Sequence, residues 1–456
     1  MPKADSEGKI KRQAAQSWTS GVPSRRDARA VPRIVEVIIV PRNILNVFST
    51  VAITIAASTV PLAGNAAAAS TVVTCGQTLT SSTRLTDNLV GCPADGLVIG
   101  ADNITVDLAG HSISGVNAVG SEGIADDGHG GVSVRNGTIA NFFLNGVGLR
   151  NAPNSSVSHL TIRKIGAGGG ENDASAGVLV KDSPNTSVTA STVTNEVTAY
   201  QSDGVDVLSS ADVLVSRNTI ANNAWNGMFV LLSPGTRVIG NALDGNQNQG
   251  VEVNSGSDGT LLSGNRAAKN VSDGLVVGAI SGARIERNTL TGNGDTGLFM
   301  FDLLNGRVSD NRADTNAVGM DLEGGQNGSS DNRIANNDTS GNAQAGLVVA
   351  HSANNNVIVD NVSNANQGGP FAGGGIVLVG VTGNTVSSNV ANRNRDVGIG
   401  VFEDQPGDSI ANVLTGNLAN SNRAHGISAV GGTIDGGGNL AHGNTPLPNC
   451  LGVSCM

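Results

Sequence analysis

Along most of the chain a glycine is followed by an aliphatic residue, a variable residue and a second aliphatic. The pattern begins at Gly146, Gly177, Gly204, Gly227, Gly250, Gly274, Gly297, Gly319, Gly346, Gly375, Gly398 and Gly426. Immediately after these glycines come Val147, Val178, Val205, Met228, Val251, Leu275, Leu298, Met320, Leu347, Ile376, Ile399 and Ile427. Two residues further on come Leu149, Val180, Val207, Val230, Val253, Val277, Met300, Leu322, Val349, Leu378, Val401 and Ala429. An apolar period of two is that of a strand with one buried face, so the residue between the two columns must point outward. The intervals between glycines run from 22 to 31 residues and hold no helical periodicity. Strands repeated at that spacing cannot be hairpin partners. They predict an all-β solenoid of parallel strands stacked about 4.8 Å apart, with loops absorbing the variation in length.

A second column follows about fourteen residues after the glycine: Asn218, Asn241, Asn265, Asn288, Asn311, Asn332, Asn361, Asn389 and Asn417. Amides stacked at a tight corner can bond one another and the neighbouring backbone, so this ladder is read as structural.

The open ends of a parallel stack are exposed strand edges that need capping. All four cysteines lie near where caps belong, Cys75 with Cys92 early in the repeat region and Cys450 with Cys455 at the end. Two local disulfides in an oxidising compartment are expected; the alternative, a zinc site, has only His442 near the second pair. Residues 1–69 carry nine Lys and Arg, the apolar run Ile44 to Leu62 and the small-residue stretch Asn65 to Ala69, the order of a secretory signal, with a membrane anchor as the alternative. The expected organisation is therefore a leader over 1–69, a cap and first coils over 70–145, coils over 146–444 and a disulfide tail over 445–456. Without the leader, eighteen Lys and Arg face thirty-three Asp and Glu, a net charge of −15 that should repel nucleic acid and anionic lipid.

Several stretches carry a family resemblance: Cys75-Gly76, Val90-Gly91-Cys92-Pro93, Gly96-Leu97-Val98-Ile99-Gly100, Asn103 to Gly115, and Cys450 with Cys455. With the repeat they resemble the right-handed parallel β-helix proteins of the pectate-lyase-like superfamily, over roughly residues 72 to 455, and within it a group of secreted bacterial β-helix-repeat proteins. The resemblance implies a single-stranded right-handed parallel β-helix. It also implies carbohydrate-active relatives, but a fold does not fix an activity.

The outward residue between the apolar columns reads Gly148, Leu179, Asp206, Phe229, Glu252, Val276, Phe299, Asp321, Val348, Val377, Gly400 and Ser428. Beside it lie Phe301, Glu323 and Phe402, while Asp203 and Asp273 directly precede their glycines and Trp225 lies two residues before Gly227. Rings can stack on the apolar face of a pyranose, and acids can bond its hydroxyls or move protons. Trp225, Phe229, Phe299, Phe301, Asp321 and Glu323 are thus the expected substrate contacts, and Asp206, Glu252, Asp203 and Asp273 the expected catalytic acids. Glu252 is expected to be the general acid and Asp206 the base, two coils apart across Phe229. The short coils from Gly204 to Gly319 would form a trough between longer, loop-bearing ones. The competing reading is that exposed acids solubilise a sheet and Phe fills space under loops.

Two fragments resemble polygalacturonase-type signatures, Gln201-Ser202-Asp203-Gly204 and Asp126-Asp127-Gly128-His129-Gly130, but in the wrong order, and the second reads as a solvated turn. The repeats also resemble those of periplasmic copper-maturation proteins. Copper, however, needs clustered soft or imidazole ligands, whereas the six His are scattered and Met228, Met300 and Met320 fall on inward columns. No cofactor is required; calcium could be shared by Asp203, Asp206 and Glu252. The expectation is a secreted, monomeric protein of the extracellular space or cell envelope that binds an extracellular polysaccharide and cleaves it, as a hydrolase rather than a lyase. A non-catalytic surface or matrix protein is the alternative.

Overall fold

The computed structural model describes residues 69–70, 72–166, 175–194, 202–369 and 373–456. Residues 1–68 of the leader, residue 71 and the segments 167–174, 195–201 (with Gln201) and 370–372 lie outside the described residues.

The described chain is a right-handed parallel β-helix with no helix. Sixteen strands form one parallel sheet, here sheet I, built from the glycine-aliphatic segments. A second sheet, sheet II, takes its strands from the rest of each coil. Both apolar columns point inward: the first, Val147 to Ile427, is fully buried throughout, and so is the second from Leu149 to Val401. Met228, Met300 and Met320 are core side chains, completely buried. Each such residue adds about 1.5–3 kcal/mol of apolar burial per rung. Because every coil repeats this, the interior is one continuous cluster from Val73 to Ile427.

The glycine that opens each sheet I strand sits at a close approach between coils. A Cβ on Gly227 would come 2.5 Å from the Gly250 carbonyl oxygen and 2.7 Å from Asn246 Nδ2. Only glycine fits there.

The predicted asparagine ladder exists with one correction. Each amide oxygen accepts from both the backbone N–H and the side-chain N–H of the asparagine one coil earlier, from Asn218 through Asn241, Asn265, Asn288 and Asn311. The next member is Asn337, not Asn332, and the ladder then runs through Asn361, Asn389 and Asn417 to Asn439. Asn332 opens a separate ladder with Asn356, Asn384 and Asn412. The cause is four residues inserted after the strand Val318–Glu323: Phe301 pairs Glu323, but Leu304 bridges Ser330 and Arg307 pairs Arg333. A third ladder, unforeseen, runs from Asn223 through Asn246, Asn270, Asn293, Asn316, Asn342, Asn366 and Asn394 to Asn422 and Asn444. Residues just before ladder asparagines take a positive φ, as at Arg217 (56°), Gly240 (64°) and Lys269 (57°). The amides satisfy backbone groups that these corners take out of the regular ladder.

Both expected disulfides form, Cys75–Cys92 and Cys450–Cys455, and no described cysteine is free. Cys450 lies in the last strand of sheet I, paired with Ile427, so the second bridge staples the final rung.

Candidate functional site on the outer face of sheet I

The outward column has the register read from the glycines. Asp206 pairs Phe229, which pairs Glu252, then Val276, Phe299 and Asp321. The neighbouring outward column stacks Gly278, Phe301, Glu323, Ala350, Val379 and Phe402. Phe301 lies over Gly278, where a Cβ would come 2.0 Å from its ring, so the glycine below makes room for the aromatic above. Phe299 and Phe301 sit with ring centroids 5.7 Å apart. Phe229, Phe299 and Phe301 are all partly exposed, as a stacking surface requires, and so is Trp225.

The carboxylates are not equivalent. Asp206 is 1% exposed and Asp203 4%, so the first pair of acids sits within the wall of the solenoid rather than on it. Asp203 Oδ1 accepts the Asn226 N–H at 2.8 Å. Glu252 is partly exposed and accepts from Asn226 Nδ2 at 3.2 Å and Asn254 Nδ2 at 2.8 Å. Asp273 is 8% exposed, accepts the Thr296 N–H at 2.9 Å and the Ser272 hydroxyl at 3.0 Å, and has its pKa raised to about 6 by burial, with Asp295 adding to the rise. Among the described residues no three His, Cys, Asp or Glu are placed to share an ion, so the calcium expectation for Asp203, Asp206 and Glu252 finds no such group.

The acids that converge lie further along. Asp321 is pushed well above the usual carboxylate range by burial, then by Glu323, with Asp295 and Asp273 also contributing; its Oδ1 is buried without a hydrogen-bond partner. Two residues on, Glu323 Oε1 is 3.3 Å from His351 Nδ1 on the next coil, and the His351 pKa is raised, chiefly by that contact. Burial alone raises Asp295. Three acids whose pKa values are raised, Asp273, Asp295 and Asp321, thus lie near a carboxylate–imidazole pair and an aromatic pair. Sequence reasoning reached Asp273, Asp321 and Glu323 but missed Asp295 and His351. Asp295 was legible, since it stands two residues before Gly297 as Trp225 does before Gly227; His351 depends on contact between coils.

The Asp126 loop is solvated at Asp127 and Gly128, as expected of a turn, but Asp126 itself is not. Asp126 pairs Leu149 and so falls on the inward column; it is fully buried, with Oδ1 accepting the His129 N–H at 3.1 Å. Burial raises its pKa to about 6, against the lowering effect of His129.

Similar solved structures include the periplasmic alginate epimerase AlgG (14% identical, covering 79% of this chain and 76% of that one, TM-score 0.41). Others are the A-module of the Azotobacter vinelandii mannuronan C-5 epimerase AlgE4 (13%, 81% and 90%, TM-score 0.33) and the Agl-KA catalytic domain (14%, 75% and 62%, TM-score 0.40). At that identity the likeness is one of fold. No curated protein sequence matches the chain. The model of one family does, that of the periplasmic copper-binding protein NosD, over residues 170–329 and 305–446. The described residues do not fit a copper centre: every described cysteine is in a disulfide, Met228, Met300 and Met320 are enclosed in the core, and the histidines do not cluster. With its matches spanning well over half of the sequence, the chain belongs to the NosD family of β-helix proteins.

Proposed function

We propose that the outer face of sheet I binds a polysaccharide lying along the solenoid axis and hydrolyses it, the protein working as a monomer outside the cytoplasm. Rings at Trp225, Phe229, Phe299 and Phe301 stack on sugars, while Glu252, Asp321 and Glu323 bond hydroxyls. The observation that carries the reading is the raised Asp321 carboxyl beside the Glu323–His351 pair and the Phe299–Phe301 pair. A carboxyl raised above the usual range is what a general-acid role needs. Asp321 is the proton donor to the leaving oxygen, and Glu323, held by His351, accepts a proton from water. Residues two apart on a strand project from one face of it with Cα atoms about 6.6 Å apart, so the two carboxyls can reach one glycosidic bond. Asp206 and Glu252, across Phe229, are the second candidate pair, with Asp203 and Asp273 beside them.

Hydrolysis is favoured over lyase chemistry on a polyuronate because this face offers few cations. Arg150 and Lys181 stand in register at one end, and the Arg150 guanidinium is already bound to Glu122. The burial of Asp203 and Asp206 favours a second reading, in which that end of the face only binds and the protein presents a glycan- or protein-binding surface.

A glycan panel assayed for reducing-end release and for absorbance of unsaturated products tests the proposal. Asp321→Asn and Glu323→Gln should each cost at least about 10²-fold in turnover while binding persists. If instead Asp206→Asn and Glu252→Gln abolish turnover, the reaction centre is the other pair. Glycan binding without any product supports the non-catalytic reading.

A further inference from the structure

The cations of this acidic chain collect on the other sheet. In sheet II one outward column reads Arg237, Leu261, Arg284, Arg307 and Arg333 on successive coils. A second reads Arg266, Thr289 and Arg312. All six arginines are exposed. Like charges directly opposite one another on neighbouring strands destabilise a sheet, so a stack of three on consecutive rungs needs a compensating charge. Some have one: Glu286 takes both Arg284 and Arg287, Asp244 takes Arg266, and Asp314 takes Arg312. Among the described residues Arg237, Arg307 and Arg333 have no ion-pair partner. Arg307 and Arg333 flank a recess of about 200 Å³, with Ser309, Asp310, Ala335 and Asn336 on its other sides.

We infer that this face is a second binding surface, for an acidic linear polysaccharide laid along the solenoid axis with its anionic groups on the arginine ladder. The rungs repeat at about 4.8 Å, close to the length of one sugar unit in an extended chain, so successive anionic groups meet successive guanidinium forks. The column beside the first arginine column reads Ile239, Ser263, Glu286, Ser309 and Ala335, with Glu286 already taken by Arg284 and Arg287, and Thr289 stands between Arg266 and Arg312 in the second column, so Ser309 and Thr289 add hydroxyls that suit a sugar chain. The six arginine-bearing strands hold no aromatic residue on which a base could stack, which single-stranded nucleic acid requires. Asp244, Glu286 and Asp314 neutralise Arg266, Arg284 and Arg312, and Asp310 lines the recess, so the attraction for a polyanion rests on Arg237, Arg307 and Arg333. This surface stands independently of the reading proposed for sheet I.

The full secreted chain is tested against immobilised polygalacturonate and dextran sulfate, with neutral dextran, a single-stranded oligonucleotide and phosphatidylglycerol vesicles as comparisons. Retention on an acidic polysaccharide but not on dextran, and release as salt rises, is the expected result. The double variant Arg307→Glu/Arg333→Glu should weaken binding at least about tenfold, whereas Arg395→Glu/Arg423→Glu, at two exposed arginines outside both columns and with the same change in net charge, should weaken it far less. Equal weakening by the two variants shows diffuse attraction and overturns the ladder. So does tighter binding to the oligonucleotide or the vesicles, or no retention on either acidic polysaccharide. Circular dichroism of each variant separates lost binding from lost fold.

Discussion

His351 reaches back across one coil to Glu323, Nδ1 to Oε1 at 3.3 Å, and so ties the loop that follows one sheet I strand to the outward carboxylate of the strand before it. The contact raises the imidazole pKa above its usual 6.5. A histidine raised in the folded state contributes stability that is complete below the unfolded pKa and is lost as pH rises through the folded one. Both side chains are about one-third exposed, so solvent screening leaves the contribution at a few tenths of a kcal/mol. The sharper readout is the titration itself. In an NMR pH series the His351 ring should titrate above 6.5, and Glu323→Gln should lower its midpoint; an unchanged midpoint would show that Glu323 does not hold the imidazole.

The buried acids give a pH slope of the same sign, but because burial penalises their charged form rather than because a partner favours it. Asp126 and Asp273 have folded-state pKa values of about 6, above the 3.8 of an unperturbed Asp. Between about pH 4 and 6 the folded chain holds protons that the unfolded chain has released, so these groups make stability fall as pH rises through that window. Asp273→Asn keeps the acceptor for the Thr296 N–H and removes the charge. It should stabilise the protein by about 1–3 kcal/mol at pH 7.5 and have little effect near pH 4. Thermal melts of wild type and variant at the two pH values check both signs.

How far the sequence reaches differs between the two levels of the structure. Strand register within sheet I was legible because a period of two and an obligatory glycine mark every coil independently, and Asp206, Phe229, Glu252, Val276, Phe299 and Asp321 fall in one column as counted. Counting forward from the glycine failed at Asn332, where four inserted residues shift the corner. The Asn223 ladder could have been found, since most of its members stand four residues before the next glycine, as Asn223 does before Gly227 and Asn246 before Gly250. Depth was not legible: the same outward column holds a 1%-exposed Asp206 and partly exposed Glu252 and Asp321, a difference set by loops and neighbours rather than by alternation.

Removing one asparagine from the middle of a ladder should be costly, because each amide serves two coils. Asn270 Oδ1 accepts from the backbone and side chain of Asn246, and its Nδ2 donates to the Leu243 carbonyl and to Asn293. Asn270→Ala leaves several buried groups unsatisfied, at about 1–3 kcal/mol each when no water enters. A loss on the order of 3–5 kcal/mol in denaturant unfolding is expected. An effect below about 1 kcal/mol would mean that water replaces the amide.

The two disulfides should matter locally and unequally. A parallel stack is held by nearest-neighbour contacts, so an end staple protects its own rung and leaves distant coils alone. By loop length, the 17-residue separation of Cys75 and Cys92 predicts a stabilisation of about 3 kcal/mol, and the 5-residue separation of Cys450 and Cys455 about 2 kcal/mol. Cys450→Ser/Cys455→Ser should therefore speed hydrogen exchange in Cys450–Leu451 and its partner strand Ile427–Ala429. Exchange in the central strands, such as Val251–Val253, should not change. Cys75→Ser/Cys92→Ser should do the same for Gln77–Leu79 and Leu89–Cys92. If either double variant loosens the whole solenoid together, the coils unfold as a single cooperative unit and the end staples are not local caps.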